Sequence, residues 1–430
     1  MALTGRAALL ALLGLVPVAL VPGWATLLGW LGVVLLVVVV DLVLAASPRA
    51  LLLRREPLGA VRQGQPTEAV VVLTNPRRRR LRAVVRDAWQ PSAGAARSRQ
   101  RLVVRGGERA RVTTVLVPTR RGDRLTPGLA VRSLGPLRVA ARQRSLDLPG
   151  TLRVLPPFRS RRHLPSRLAR LRELEGRSAV QVRGQGTEFD SLREYVVGDD
   201  VRSIDWRATA RRSNVVVRTW RPERDRHVLL VLDSGRTSAA RVGDEPRLDA
   251  GMDAALLLAA LASRAGDRVD LLVHDRRAVA RIEGASRTDL LPRLVEAMAP
   301  VEPALVEPDW AAVAAQVRGR LTRRSLVVML TALDAGSVES GLLPALAQLS
   351  RRHQVIVASV DDPDLTAMAR RRGDLASVYD AAAASRAQLD AATVTSWVGR
   401  LGVEVVRGDP EELPPALADR YLALKAAGRL

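Results

Sequence analysis

The sequence predicts a multidomain protein: an N-terminal transmembrane helical hairpin, a small antiparallel β-sandwich and a C-terminal α/β domain. Three observations predict it. Two apolar runs fill the first fifty residues, short β-rich runs with turn punctuation occupy Leu58–Leu155, and from Val228 onward continuous apolar runs alternate with helical ones. A chain of 430 residues also exceeds what one hydrophobic core usually organises. The boundaries that follow are 1–48 for the hairpin, 49–157 for the β-rich domain, 158–226 for a connecting region and 227–430 for the α/β domain.

Ala7–Gly23 is apolar apart from its prolines, and Trp24–Ser47 is apolar apart from Asp41. At about 1.5 Å per residue the first run makes roughly 26 Å of helix and the second comfortably spans a hydrocarbon layer of about 30 Å. Pro22-Gly23 supplies the turn. Arg6 precedes the pair and Arg49, Arg54 and Arg55 follow it, so the positive-inside rule places both ends, and the soluble domains, on the cytoplasmic side of the inner membrane. A signal peptide is disfavoured because no small-residue cleavage site separates the runs. Asp41 lies near the cytoplasmic end of its run and is expected to snorkel toward the headgroups.

From Ser47 through Asp225 there are 40 arginines against 16 acidic residues, whereas from Arg226 to Leu430 the balance is 26 against 27. The membrane-proximal half is therefore the basic half, with Arg77–Arg80 and Arg82 as its densest run. Anionic membrane lipid is the partner this implies. Nucleic acid is not expected, because Trp89, Phe158, Phe189, Tyr195, Trp206 and Trp220 do not interleave with the basic runs as stacking platforms.

In the β-rich region, runs at 68–73, 81–89, 101–105, 111–118, 128–134 and 137–141 are separated by Asn75-Pro76, Gly106-Gly107, Arg121-Gly-Asp123 and Gly135-Pro136, the spacing of a small sandwich. A basic helix over 163–175 connects it to the next domain. There, strands at 228–232, 269–273, 278–282, 326–330, 354–360 and 403–406 alternate with helices at 248–265, 288–298, 310–321, 341–350, 388–401 and 412–427. Such alternation indicates a parallel sheet covered on both faces, with its site at the carboxyl ends of the strands. Asp233, Asp334 and Asp361-Asp362 stand at those ends.

One stretch is too rich in polar and aromatic punctuation for a linker: Gly184-x-Gly186-Thr-Glu188-Phe189, continuing through Leu192-Arg193-Glu194-Tyr195, Gly198-Asp199-Asp200, Arg202, Ile204-Asp205-Trp206 and Ala208-Thr-Ala-Arg211. It resembles the signature of the bacterial family called domain of unknown function 58. That resemblance implies a two-helix membrane segment, a β-rich region and a von Willebrand factor A-like (Rossmann-like) α/β domain, in the order found here. It also implies partnership with a MoxR-type AAA+ ATPase. Physically, the alternation of carboxylates with Arg193, Arg202, Arg207 and Arg211 favours interlocked ion pairs. A brace docking the segment onto the α/β domain, with Trp206 as a packing anchor, and a partner-binding surface are both open. Acid–base chemistry is disfavoured because neither His nor Cys stands among these residues.

The resemblance further implies an adhesion-type metal site of Asp-x-Ser-x-Ser after the first strand, a threonine from a second loop and an aspartate after the fourth strand, an oxygen set that suits Mg²⁺. Here the first element reads Asp233-Ser-Gly-Arg-Thr237, with glycine in place of the middle serine. The second loop, Leu305–Asp309, offers Glu307 or Asp309, and the third element offers Thr331 or Asp334. The expected site is thus degenerate: Asp233, Thr237, Asp309 and Asp334, either holding Mg²⁺ or vestigial, with Asp233 capping the sheet edge or pairing with arginine.

Absences narrow the chemistry. Zero cysteines exclude disulfides, thiolate-ligated metals and a thiol nucleophile, and four scattered histidines lack ligand spacing. The single lysine, Lys425, stands in no phosphate-binding loop, and Ser234 does not form a nucleophile elbow. The sequence therefore points to a non-enzymatic membrane-anchored adaptor working with an ATPase, with a metal-dependent hydrolase at the inner membrane face as the alternative.

Overall fold

The apolar run that starts at Trp24 folds as one uninterrupted helix, α3 (Trp24–Leu44), whose 21 residues rise about 31 Å. In the computed structural model it is, among the described residues (1–181, 188–211, 214–221, 226–333 and 338–430), the one helix long and apolar enough to cross a membrane. The chain divides into two compact units, Met1–Pro157 and Phe158–Leu430.

In the first unit a short strand, β1 (Ala2–Leu3), leads into α1 (Gly5–Leu13) and α2 (Leu15–Leu20), which join at Gly14. The stretch Gly5–Leu20 rises about 24 Å, close to the roughly 26 Å that the first apolar run gives by length. Trp30 of α3 donates its indole N–H to the Leu10 carbonyl at 3.2 Å. Its ring lies so near Gly14 that a Cβ there would sit 2.2 Å from Trp30 Cδ1, so α1 and α3 meet through a glycine.

Asp41 does not snorkel. It is fully buried, and its carboxylate accepts three backbone N–H groups: Leu137 on Oδ1, and Val139 and Ala140 on Oδ2, each at 2.8 Å. A buried carboxylate needs donors in place of water, and a turn nearly one hundred residues away supplies them. That turn joins β8 (Gly122–Leu134) to β9 (Ala140–Leu155). Gly135 is obligatory in it, since a Cβ would lie 2.2 Å from Asp41 Oδ1.

The β-rich part contains two facing sheets. One pairs β2 (Leu52–Arg55), β4 (Thr67–Thr74) and β7 (Arg109–Leu116); the other runs β1-β9-β8-β5-β6, with β5 (Leu81–Asp87) and β6 (Arg99–Val104), and β3 (Val61–Arg62) joins β9. Alternate residues of β4 and β5, such as Val71, Leu73, Leu81, Ala83 and Val85, meet Val112, Leu129 and Val131 in one core, as period-two patterning requires. The arrangement departs from a purely antiparallel one, because β3 pairs with β9 in parallel. β8 and β9 also run through Pro127 and Pro149, which the sequence reading treats as outside strands. A register shift between Thr126 and Gly128 absorbs the irregularity. Arg55 and Asp87 form a buried ion pair at 2.8 Å, and Trp89 donates to the same carboxylate at 2.7 Å.

The second unit opens with α4 (Leu164–Gln181) and an antiparallel hairpin of β10 (Glu188–Glu194) and β11 (Val216–Arg221), with the one-turn α5 (Trp206–Thr209) between them. Its main body is a six-stranded sheet. After β12 (His227–Asp233), a minor ladder of β13 (Arg241–Val242) with β14 (Glu245–Pro246) precedes α6 (Arg247–Arg264). Then come β15 (Arg268–His274), β16 (Ala278–Ile282), α7 (Leu290–Met298), α8 (Trp310–Arg320) and β17 (Leu326–Leu330). The chain ends with α9 (Leu343–Ser350), β18 (Gln354–Val360), α10 (Pro363–Arg370), α11 (Leu375–Arg400), β19 (Glu404–Gly408) and α12 (Leu413–Ala426). Strands lie in the order β16-β15-β12-β17-β18-β19, all parallel except the edge strand β16. Numbered within the sheet, that is 3-2-1-4-5-6, in which the order reverses between β12 and β17.

Both faces are covered, which explains why β12 and β17 read as unbroken apolar runs. Leu229, Val231, Leu272, Val327 and Met329 pack against Val313 and Val317 of α8 and Leu346 of α9, whereas Leu232 and Leu330 face Gly251 of α6. Alternation therefore places Asp233, after Leu229 and Val231, on the α8 face at the strand's carboxyl end.

The carboxylate of Asp41 leads to a test. In Asp41→Ala three buried amides lose their acceptor, at about 1–3 kcal/mol each. Hydrogen exchange of the detergent-solubilised protein is expected to quicken at least about tenfold at Leu137, Val139 and Ala140, and unchanged exchange there contradicts the assignment.

Candidate functional site

Asp233 ends the first strand of the sheet at the point where the strand order reverses, the place where open α/β sheets bind ligands. It is buried, and its oxygens are surrounded by donors. Gly235 N–H reaches Oδ1 at 2.7 Å, while the hydroxyls of Thr237 and Thr331 reach Oδ2 at 3.1 and 2.7 Å. Ser238 donates as well. Burial pushes the Asp233 carboxyl above its ordinary range, against the downward pull of these bonds. Beside it lies a cavity of about 10 Å³, one water position in size, lined among others by Asp233, Ser238, Arg247 and Thr331.

The structure gives a steric reason for the glycine that replaces the expected middle serine. A Cβ on Gly235 would sit 2.7 Å from Pro308 Cγ and 2.8 Å from the Val306 carbonyl. The loop before α8 is bonded across this spot, Arg236 N–H to Val306 O and Ala304 N–H to Ser234 O, both at 2.8 Å.

Of the four expected ligands, Asp233 and Thr237 come together, and Thr331, the alternative after the fourth strand, joins them. Asp309 instead caps α8 by accepting the Ala312 N–H at 2.8 Å, and Glu307 pairs with Arg236 at 2.7 Å. Asp334 lies outside the described residues. Asp361 is tied to Arg407 at 2.8 Å, and Asp362 caps α10.

Sequence reasoning missed His274. It ends β15 in register with Asp233, is buried, and has no partner for either ring nitrogen; the Ser234 hydroxyl next to Asp233 is likewise buried without a partner. Burial pushes the His274 imidazole below its ordinary range despite nearby Asp275, Asp309 and Asp233. The only signal in the sequence was a histidine closing an apolar strand run.

The oxygen donors, one carboxylate and the hydroxyls of Thr237, Ser238 and Thr331, are the hard set that Mg²⁺ accepts. No group of three or more His, Asp or Glu side chains converges on a shared point among the described residues.

The signature segment forms a self-contained hairpin. Arg193 grips Asp199 through two nitrogens at 2.6 and 2.7 Å, and Asp199 also accepts the Val196 N–H. Asp205 caps α5 through Arg207 and Ala208 N–H groups and binds Arg218 at 2.8 Å, Glu194 takes Asn214 at 2.7 Å, and Asp200 takes the Arg202 N–H. The Arg193 guanidinium holds Asp199 below the usual carboxylate range, and the Ala208 N–H with Arg218 does so for Asp205. Tyr195 N–H pairs with Val215 O, and Gly198 turns with φ +110°, a conformation that favours glycine. The described ion pairs thus close on the hairpin itself instead of bracing it against the sheet. Trp206 is 67% exposed and Val197 95% exposed, so Trp206 is not a packing anchor. Arg211 lies just past α5, Glu188 and Phe189 pair with Arg221 and Trp220 in the ladder, and Gly184 and Gly186 fall outside the described residues.

A family model described as "Protein of unknown function DUF58" matches residues 191–393, from the hairpin into α11. Uncharacterized proteins of Mycobacterium tuberculosis (strain H37Rv) and Mycobacterium bovis are each 28% identical over 193 residues, 44% of this chain and 60% of theirs. The chain therefore spans about 60% of the length of the curated relatives it matches. Among solved structures, a PapD-like domain of human CEP192 has a TM-score of 0.19 at 10% identity, covering 25% of this chain and 89% of that one, a likeness too slight to assign a fold.

Because burial raises the Asp233 pKa, its contribution to stability is full below the ordinary carboxylate range and is lost as pH rises through the folded-state value. Asp233→Asn removes that loss. Its Tm is expected to rise relative to the wild type as pH increases above the ordinary carboxylate range, and a difference that stays constant with pH contradicts the assignment.

Proposed function

We propose that this chain is a membrane-anchored adaptor whose von Willebrand A-like α/β domain works with a MoxR-type AAA+ ATPase in assembly or maturation of a protein complex. The observation that carries the reading is Asp233 with its hydroxyls at the reversal point of a 3-2-1-4-5-6 sheet. Such an edge is built to receive a ligand. Asp233, Thr237 and Thr331 would hold Mg²⁺, with Asp334 as a further proposed ligand. A bound ion supplies an electrophilic position for an acidic group of the partner.

The exposed Val196, Val197 and Trp206 on a hairpin stiffened by ion pairs favour a second contact surface for the same partner. In this reading α3 and the Gly5–Leu20 stretch form a two-span hairpin in the inner membrane, with both soluble units cytoplasmic and the basic surface toward anionic lipid. A metal-dependent hydrolase would draw on the same oxygens.

Gentle solubilisation of the tagged protein from its native membranes, with and without Mg²⁺ and ATP, tests this by mass spectrometry of what co-purifies. An AAA+ ATPase is expected in a nucleotide-dependent manner, reduced at least about tenfold in Asp233→Ala and in Val197→Asp/Trp206→Ala. No ATPase under either condition contradicts the proposal.

A further inference from the structure

We propose that Arg6, Arg79, Arg82 and Arg142 build a binding site for the phosphate of an anionic lipid headgroup around the foot of α3. The inference rests on the membrane-spanning reading of α3 given above. Four hydrogen bonds define the site. Arg142 Nε donates to the Leu42 carbonyl at 2.9 Å and an Arg79 guanidinium nitrogen to Val43 O at 3.2 Å, which satisfies carbonyls of the last helical turn. Arg82 donates to Pro136 O at 3.3 Å and Arg6 to Leu137 O at 3.2 Å. Leu42 and Val43 follow Asp41, and Pro136 and Leu137 belong to the turn that Asp41 holds, so all four guanidiniums bond carbonyls of the helix end and turn that one buried carboxylate joins.

Each guanidinium has five N–H donors, and these bonds occupy one apiece. Four positive charges against Asp41 leave a local net of +3. None of the four pairs with an acidic side chain among the described residues. Four other acids of this unit are bound elsewhere: Glu56 to Arg111, Asp87 to Arg55, Glu108 to Arg105 and Asp123 to Arg153. Arginines with free donor forks and no counter-charge are the usual recognition set for phosphate.

Depth identifies the source of that phosphate. Val43 stands nineteen residues beyond Trp24, a rise of about 28 Å along α3, close to the hydrocarbon thickness of about 30 Å. With exposed Trp24 at one interface, the guanidiniums lie level with the opposite phosphates. Leu3 and Leu137 project from the same region, 66% and 52% exposed, as suits insertion into the headgroup boundary. An acidic protein partner would need no such depth.

The test uses the full chain in nonionic detergent with dioleoylphosphatidylglycerol or dioleoylphosphatidylcholine, bound lipid being read by native mass spectrometry. The wild type is expected to retain the anionic lipid preferentially even with 10 mM inorganic phosphate present. Arg79→Gln/Arg82→Gln/Arg142→Gln should lose that preference about tenfold or more. Arg97→Gln/Arg99→Gln/Arg101→Gln, which removes the same charge in and just before β6, should stay within about twofold. Arg6→Gln/Arg82→Gln spares the helix carbonyls and should show a partial loss, so misfolding of the triple variant does not decide the matter. Equal losses in both triple variants, displacement by free phosphate, or no preference in the wild type overturns the site. Alkaline carbonate washing of native membranes tests the anchor separately: release of the wild type overturns the spanning reading, and retention with no lipid preference overturns only the site.

Discussion

Burying a carboxylate strips its hydration, and the donors that replace water dictate the shape of the chain around it. Asp233 shows how far that constraint reaches. Its two oxygens take one amide and the hydroxyls of Thr237, Ser238 and Thr331, drawn from the loops after β12 and β17, so the two central strands of the sheet are joined at their carboxyl ends through a single side chain. The loop before α8 then closes over Gly235, and the ends of β12 and β15 bring His274 beside the acid. An edge organised in this way is polar, shaped and nearly filled.

Asp41 applies the same constraint in the N-terminal unit. Its carboxylate collects amides from one turn of the β8–β9 hairpin, and arginines complete the hydrogen bonding of the adjoining helix end. The helix is thereby locked to the β-sheets at its foot. The proposed lipid site is a by-product of this lock, since the arginines brought in to satisfy carbonyls keep most of their donors free.

Legibility in the sequence followed the range of the interaction. The strands of the α/β sheet are plain because each carries its own burial in a continuous apolar run, and Asp233 with Thr237 is plain because four residues separate them. Thr331 was recognisable as an alternative ligand from its place after the fourth strand. Asp41 was misjudged because its donors lie 96 to 99 residues away, and the need for Gly235 was hidden because the obstructing loop arrives from position 306. Trp206 reads as a core residue by type, yet Asp205 caps α5 so that the indole stays mostly in solvent. The start of α11 was missed although its first half is rich in alanine, a strong helix former, and Asp374 provides the N-cap signal there, just as Asp362 with Pro363 does for α10.

The central claim is that the carboxyl edge of the sheet is the face that meets the proposed ATPase partner. Site-specific photocrosslinking in cells tests it most directly, with the probe placed at exposed Leu305, in the loop closing over Asp233, or at exposed Arg324, before β17 at the opposite edge. A crosslink to an AAA+ ATPase is expected from position 305 and none from 324. Crosslinking from 324 alone, or equally from both, would contradict it.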